Sequence, residues 1–308
     1  MPITYDPSGV YGGTDTFANL VEEILSNVQG YTASPDQVTS LSADITASDT
    51  SFVVDDGSGI SPGLVEIGEE LVWVRKFDET SSTAQTLPAG RGWRASGASA
   101  HAAGTTVTVS PAIPRSVVIR EVNNLIRGLY PSIYAVGTTE FTYDSMIQEG
   151  WDIPAEAEVV LDVRYKDFLG NWVKATTWEL GKSADSTDHT TGTILHLRGV
   201  PIGRPVQVVY GKKPVVLTSL TQDWTDCGLD ASSKDLIVLG VIAKVIPMLD
   251  VARLSVTYAA AEEMQQQRPI GSAAALAKQL KSDYAARLSD ERDALNRRYP
   301  ARFHRVCR

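Results

Sequence analysis

Two short segments contain a serine or a lysine in a setting that could support enzyme chemistry. Gly97-Ala-Ser-Ala-His101 is spaced like a nucleophile elbow, but its last position is His instead of Gly, and a β-module loop is expected there. Gly181-Lys-Ser183 ends like a phosphate-binding loop, yet Thr176 stands where that loop needs its first glycine. Because neither segment meets the requirements of its motif, we predict that the protein is not an enzyme.

Residues of the metal-binding types also fail to form a recognisable site. Asp55-Asp-Gly57 together with Glu66, Glu69 and Glu70 could bind a cation, but Asp-Gly is also ordinary turn sequence. The four histidines show no spacing typical of a catalytic triad or a metal site. The two cysteines lie far apart in sequence, which predicts reduced thiols. No cofactor and no metal are therefore predicted.

The C-terminal segment from Asn296 to Arg308 is the strongest candidate for an interaction surface, because basic and aromatic side chains alternate along it. Both types are favoured at protein interfaces, since Arg pairs bidentately with carboxylates and stacks on aromatic rings. Three interpretations are open: docking on an acidic protein surface, a disordered terminus, and contact with DNA. The residues predicted to bind a partner are Arg297, Arg298, Tyr299, Arg302, Phe303, Arg305 and Arg308.

Charge is distributed unevenly along this acidic chain of 308 residues. The net formal charge is −9, but the segment from Arg268 onward carries +6, which leaves −15 for the remainder. This acidic body argues against a nucleic-acid-binding surface over the whole protein, since phosphate binding usually requires a basic excess. With 43% hydrophobic and 21% charged residues, the composition is that of a globular protein of two or three domains.

No segment is predicted to enter a membrane. The sequence from Met1 to Asp6 lacks the basic and apolar regions of a signal peptide. The longest apolar run, Leu236 to Met248, is too short to span a bilayer and contains Lys244. We therefore expect a soluble protein that folds where it is made.

Periodic apolar residues predict five helices, which together would form one bundle of about 90 residues. They lie near residues 14–29, 114–129, 233–247, 251–267 and 273–298. Thr14 or Thr16 is expected to cap the first helix, with Gly30 in the left-handed conformation after its end. Pro247 is expected to kink or break the third. The last helix has a narrow apolar stripe, which suits a helix lying along a partner.

Two β-rich blocks interrupt these helices. In residues 38–111, short apolar runs alternate with glycine turns and predict a small β-barrel. In residues 132–228, two strands are expected to form a hairpin across Asp167-Phe-Leu-Gly-Asn171, within a small antiparallel sandwich. The four strands expected in this second block span residues 158–165, 172–180, 193–197 and 205–210.

The predicted fold class is therefore α+β: a bundle of about five helices interrupted by a small β-barrel module and a small antiparallel β-sandwich. The predicted divisions are 1–37 (arm and first helix), 38–111 (β-barrel module), 112–131 (bundle helix), 132–228 (β-sandwich) and 229–308 (C-terminal helices and basic tail).

Three stretches of the first β block carry a resemblance to a known module. They are Ile67 to Glu70, Arg91-Gly92, and Ala100 to Val107. In this order the pattern resembles a module that recurs in structural proteins of tailed bacteriophages. We therefore expect the protein to be made in the host cytoplasm and to be located in the phage virion.

A helical bundle with β excursions and a basic C-terminal helix is similar to the head-to-tail connector, or adaptor, proteins of long-tailed phages. That resemblance implies a ring, usually of twelve copies, at the neck between capsid and tail. The implied partners are the portal protein, which C-terminal segments contact, a tail terminator or stopper protein, and other copies of the chain. DNA would only pass through the ring, whose acidic body would repel phosphate; no membrane is implied.

Two other functions stay open from the sequence. One is a tail-tip, baseplate or minor tail protein whose β modules bind host glycan through some of the six tryptophans. Most of these tryptophans are at strand positions, where packing in a core also explains them. The other is a tail-associated hydrolase, for which the sequence offers no complete set of catalytic residues.

Overall fold

A computed structural model of the chain describes residues 15–32, 36–86, 89–144, 150–182, 189–253 and 272–300. This part of the chain is mostly β, with three antiparallel sheets and four α-helices. The prediction of a bundle of about five helices interrupted by a barrel is therefore wrong. Each β block has a buried core of its own, so the sheets rather than the helices form the framework. The helices are α1 (Phe17–Gln29), α2 (Arg115–Leu129), α3 (Lys234–Arg253) and α4 (Ser272–Arg298).

The first two helices agree with their apolar periodicity. Thr16 caps α1 as predicted, its hydroxyl accepting a hydrogen bond from the Asn19 amide at 3.3 Å. Gly30 follows α1 with φ −59° and ψ −17°, a right-handed conformation, so the left-handed cap predicted there is wrong. Helix α2 begins directly after Pro114, a residue that cannot donate a backbone hydrogen bond and therefore suits a helix start.

The C-terminal helices differ from the prediction at Pro247. Helix α3 runs through this residue to Arg253, so the expected boundary near 247 is not a helix end. Because α3 is apolar on nearly every side, its buried packing holds the helix together across the proline. The rest of the predicted helix 251–267 lies outside the described residues. Helix α4 matches the predicted span of the last helix.

The first β block forms one six-stranded antiparallel sheet, in the order β1-β6-β3-β4-β5-β2. Its strands are β1 (Gln37–Ser40), β2 (Ser51–Val53), β3 (Gly63–Ile67), β4 (Glu70–Asp78), β5 (Thr83–Thr86) and β6 (Thr106–Val109). The predicted β-barrel is wrong, because among the described residues no strand ladder joins the edge strands β1 and β2. The two ends of the sheet are connected by an isolated bridge between Leu41 and Val54 and by side-chain hydrogen bonds, such as that from the Ser42 hydroxyl to the Asp55 carboxylate at 2.7 Å.

Strand alternation places one apolar set of this sheet in a common core. Val65 and Ile67 of β3, Val72 and Val74 of β4 and Val107 of β6 have no exposed surface. On the opposite face, Trp73 is 38% exposed.

The second β block contains a four-stranded sheet, in the order β10-β9-β13-β7, and a three-stranded sheet, in the order β11-β12-β8. The strands are β7 (Ala135–Tyr143), β8 (Trp151–Asp152), β9 (Ala157–Lys166), β10 (Trp172–Lys174), β11 (Thr177–Lys182), β12 (Thr193–Arg198) and β13 (Arg204–Lys212). Buried residues of both sheets, among them Val163 and Leu195, belong to one hydrophobic core.

The predicted hairpin is present only in its first half. Trp172 pairs with Lys166 and Lys174 with Arg164, as expected for strands joined by a tight turn. The chain then leaves this sheet at Ala175, which is buried, and β11 pairs with β12 in the other sheet. The single predicted strand over residues 172–180 is therefore two strands in two sheets, because the period-two pattern does not reveal which neighbour a strand pairs with.

By its internal contacts, the chain divides into two compact units. One comprises the residues up to Asn124 and those from Ile237 to Asp283, and it contains the six-stranded sheet. The other comprises Leu125 to Leu236 and the residues from Tyr284 onward, and it contains both smaller sheets.

Candidate interaction surface

The predicted partner-binding residues that the structure describes lie at the end of α4. The Arg298 side chain is 68% exposed, and its Nη1 lies 3.6 Å from the Asp230 carboxylate, which is also exposed. Its guanidinium is 5.6 Å from the centre of the Tyr299 ring. Arg297 donates from Nε to the Asp293 carbonyl at 3.2 Å, within its own helix. Both arginines are exposed, and an exposed ion pair such as that of Arg298 contributes little to stability, so both side chains remain available to a partner. Arg302, Phe303, Arg305 and Arg308 lie outside the described residues.

The end of α4 is positioned by contacts with the turn before α3. Arg287 Nη2 donates to the Ser232 carbonyl at 3.1 Å and also contacts Glu291 at 2.8 Å, one turn further along the helix. In the turn itself, the Asp230 carboxylate accepts from the Ser232 amide at 3.3 Å. These contacts fix the last turns of α4 against residues 230–232.

A cleft of about 420 Å³ lies between the start of β7, the 228–233 turn and the last turns of α4. We refer to it as the α4 cleft. Its walls are partly apolar, with Ile133, Val136 and Leu295, and partly polar, with Asp230 and Glu291. Tyr134, Arg298 and Tyr299 also line it. Burial raises the pKa of the Tyr134 phenol, and the nearby Tyr299 adds to the effect. The cleft therefore offers a mixed apolar and polar surface that could receive a protein segment.

Helix α4 leaves most of its surface open to solvent. Among its described side chains, from residue 275 onward, only Ala277 is buried. The predicted narrow stripe is half-buried, and it comprises Leu276, Leu280, Tyr284, Leu288, Glu291 and Leu295. A long helix with a stripe that is only half covered has room for a further protein surface along it.

The carboxylates considered as cation ligands have other roles. Glu66 is buried at the start of α2, where its Oε1 accepts from the Arg115 amide at 2.7 Å. Burial raises the pKa of Glu66 to about 7, although hydrogen bonds from the helix start oppose this shift. Glu69 is exposed, and Glu70 is buried against Arg91. Among the described residues, no group of three or more His, Cys, Asp or Glu side chains is arranged to hold a metal ion.

Glu70 is the centre of a buried polar network formed by residues distant in sequence. Its carboxylate accepts from Arg91 Nε at 2.7 Å and Nη2 at 2.9 Å, and from the amides of Gly92 at 2.8 Å and Ser99 at 3.2 Å. His101 Nε2 lies 2.9 Å from Glu70 Oε2. The three segments that carry the resemblance to a phage module therefore meet at this one carboxylate.

Ser99, His101 and Glu70 lie close together, but their geometry is not that of a catalytic triad. Ser99 Oγ is 3.1 Å from His101 Nε2, and Glu70 Oε2 contacts the same nitrogen. A triad uses opposite ring nitrogens, one for the nucleophile and one for the acid. The contact set instead fixes the loop that contains Ser99. The second motif considered, the phosphate-binding-loop ending Gly181-Lys-Ser183, is also accounted for otherwise. Lys182 lies in β11, with its ammonium 2.6 Å from the Glu158 carboxylate, and Ser183 lies outside the described residues.

The tryptophans divide into buried and partly exposed positions. Trp151 and Trp224 are buried in cores. Trp178 packs against the core of the second block. Trp73 is 38% exposed, and its ring centre lies 5.4 Å from that of Trp93. The sequence interpretation of core packing therefore holds for some tryptophans only.

The sequence reasoning overlooked the most exposed large apolar residues of the structure. Phe168 and Leu169 occupy the β9–β10 turn with 82% and 85% of their surfaces exposed. A signal was present, since two large apolar residues are unusual between the Asp and Gly-Asn of a tight turn, where polar residues dominate.

Comparison with known proteins adds no assignment. No family model matches the chain, and no curated protein matches it in sequence. Within the described ranges, no helix is long and apolar enough to cross a membrane.

Proposed function

We propose that the protein is a structural head-to-tail adaptor of a tailed phage: a ring between portal and tail, around the DNA channel, without enzymatic activity. The observation that carries this proposal is the surface of α4. The helix is long, largely exposed and ends in Arg297, Arg298 and Tyr299 on an otherwise acidic chain. Such a helix suits docking on a large partner of opposite charge, for which the portal protein is proposed.

The Glu70 network supports the virion assignment independently of the helices. The fold lacks the predicted helical bundle, so the architectural part of the resemblance no longer counts. The β-module part does not depend on that bundle, because its motif residues Arg91 and His101 both contact Glu70. A fully paired buried network of this kind rigidifies the segments that it joins, which supports reading the pattern as one structural module.

The charge distribution fits passage of DNA rather than binding of DNA. Outside the segment from Arg268 onward the chain carries −15, and a channel wall of this sign repels phosphate. The basic segment is short enough to be covered by a partner. In this proposal the portal takes up that segment, and the acidic body faces the DNA.

The test is co-purification of the full chain with the portal protein of the same phage. We expect a variant that ends at Pro300 to remain folded and to lose portal binding, because it lacks Arg302, Phe303, Arg305 and Arg308. Arg297→Glu should weaken binding in the otherwise full-length chain. The matched control is Lys281→Glu, the same charge change at an exposed position of the same helix. Undiminished portal binding by the truncated variant would contradict the proposal.

The position of the protein in the virion gives a second readout. An epitope tag viewed by electron microscopy should lie at the neck. A tag at the distal tail would instead support the tail-tip alternative, in which the partly exposed pair of Trp73 and Trp93 would be the first surface to examine for glycan binding.

A further inference from the structure

The β9–β10 turn presents an apolar tip to solvent. Phe168 and Leu169 are 82% and 85% exposed, and Ile202 in the neighbouring turn is 54% exposed. The two turns lie at the same end of the four-stranded sheet, because β13 begins where β9 ends. Adjacent exposed apolar side chains are typical of protein contact sites. We refer to Phe168 and Leu169 as the tip.

The tip is held rigidly by polar contacts. The Asp167 carboxylate accepts from the amides of Leu169 and Asn171, both at 2.8 Å. The Arg204 guanidinium lies 4.0 Å from the centre of the Phe168 ring and donates to the Asp167 carbonyl at 3.3 Å. A preorganised apolar knob loses little conformational entropy on binding, which favours its use as an anchor.

The α4 cleft lies at the opposite end of the same sheet. Arg204, beside the tip, is the first residue of β13, and Lys212, its last, pairs with Ala135 beside the cleft. A strand of nine residues spans about 26 Å at the usual rise per residue. A knob at one end of a rigid sheet and a cleft at the other form the arrangement of a head-to-tail contact, which closes into rings when the rotation allows.

The chemistry of the two surfaces is complementary. The Arg204 guanidinium lies over the Phe168 ring, and the Asp167 carboxylate accepts from the Leu169 amide. Lys166 precedes the turn, with its ammonium 5.0 Å from the centre of the Trp172 ring. The cleft combines apolar walls with two carboxylates, Asp230 and Glu291, which also contact Arg298 and Arg287 of the same copy. Its volume of about 420 Å³ is within the range of sites that receive compact groups.

We propose that the tip of one copy inserts into the α4 cleft of the next copy of this chain, and that this contact builds the ring. The inference rests on the ring in the proposed function, but it concerns the contact between copies. Of the residues proposed for the portal contact, Arg298 and Tyr299 also line the cleft, whereas Arg297 is not among its lining residues. Since the two surfaces are different, each copy donates one tip and receives another.

The test is sedimentation velocity of the purified full chain over a range of concentrations. Wild type should self-associate. Phe168→Ser with Leu169→Ser should weaken this association about tenfold or more, the effect of removing central apolar anchors. Ala294→Trp, at an exposed position that lines the cleft, should do the same by filling it. The matched control is Val38→Ser, which removes an apolar side chain that is 61% exposed elsewhere.

Mixing the variants tests the head-to-tail geometry directly. The tip variant retains its cleft and the Ala294→Trp variant retains its tip, so a mixture should form dimers of one copy of each and nothing larger. Neither variant alone should do so. A contact made by the same patch on both copies would not produce this result.

Several results would overturn the inference: a wild type that stays monomeric, tip or cleft variants that associate like wild type, or a mixture without dimers. Binding of wild type to vesicles of anionic phospholipid, lost in the tip variant without self-association, would identify the tip as a lipid-binding element instead. The variant ending at Pro300 keeps both surfaces. If this variant no longer binds the portal but still self-associates, only the portal contact depends on the tail. If it still binds the portal, the proposed function fails and the contact between copies stands.

Discussion

Replacement of Glu70 by Gln should destabilise the first unit strongly. Glu70 is completely buried, and its carboxylate compensates the charge of Arg91, whose side chain is only 5% exposed. All five N–H groups of Arg91 have acceptors, because Nη1 donates to the carbonyls of Thr46 and Asp49 and Nη2 also donates to that of Ser99. Gln would bring two donors to a position where every neighbouring group donates, and would leave the arginine charge buried without a partner.

The expected loss is about 3 to 5 kcal/mol of unfolding free energy, the usual effect of removing one partner of a buried ion pair. The pH dependence gives a separate estimate. Although burial favours the neutral acid, hydrogen bonds from Arg91 and His101 outweigh it and lower the pKa of Glu70 to about 2. Relative to an ordinary value of 4.5, this corresponds to about 3 kcal/mol. This stability is complete above pH 4.5 and is lost as the pH falls toward 2.

The assay is urea unfolding of the full chain, combined with hydrogen exchange at the amides of Gly92 and Ser99, which donate to Glu70. These amides should exchange faster in Glu70→Gln. The matched control is Glu69→Gln, the same change at the exposed neighbouring residue, which should alter stability by less than about 0.5 kcal/mol. If both variants unfolded at the same urea concentration, the network would not stabilise the module and the reasoning would be refuted.

Two further predictions concern other sites. In the wild type, stability should fall between pH 4.5 and 7, because the pKa of Glu66 is raised to about 7 in the folded state and its ionisation opposes folding. Glu66→Gln should remove this fall, as measured by urea unfolding across the same pH range. A variant with the same pH profile as wild type would contradict the prediction. Gly137→Ala should destabilise by about 1 to 3 kcal/mol, since a Cβ at residue 137 would lie 2.6 Å from the Tyr210 ring. The control is Gly128→Ala in α2, where an added Cβ would meet open space, and it should stabilise the protein by about 0.5 to 1 kcal/mol. Equal changes of the melting temperature in the two variants would refute the steric argument.

Local patterns in the sequence were sufficient for the helices. The apolar spacing of α1, α2 and α4 located them to within a few residues, because side chains three and four apart share one face of a helix. The same reasoning failed at Pro247, where burial of α3 outweighs the local preference of proline. Helical propensity is a local property, whereas the packing that overrides it is not.

Strand partners could not be read in the same way. Residues 172–180 alternate as one strand, yet Ala175 marks a crossing from one sheet to another. The edges of the first sheet likewise stay open instead of closing into the predicted barrel. Pairing depends on residues far away in sequence, so a period of two identifies a strand without identifying its neighbours.

The sequence by itself was enough to identify the acidic body, the basic and aromatic C-terminus and the three segments of the β module. Only the tertiary structure brought Arg91 and His101 to Glu70, turned Glu66 to the start of α2, and placed Phe168 and Leu169 on an exposed turn opposite the α4 cleft. The physical reason is that burial and charge compensation depend on contacts between distant residues, whereas sequence spacing reports only on neighbours along the chain.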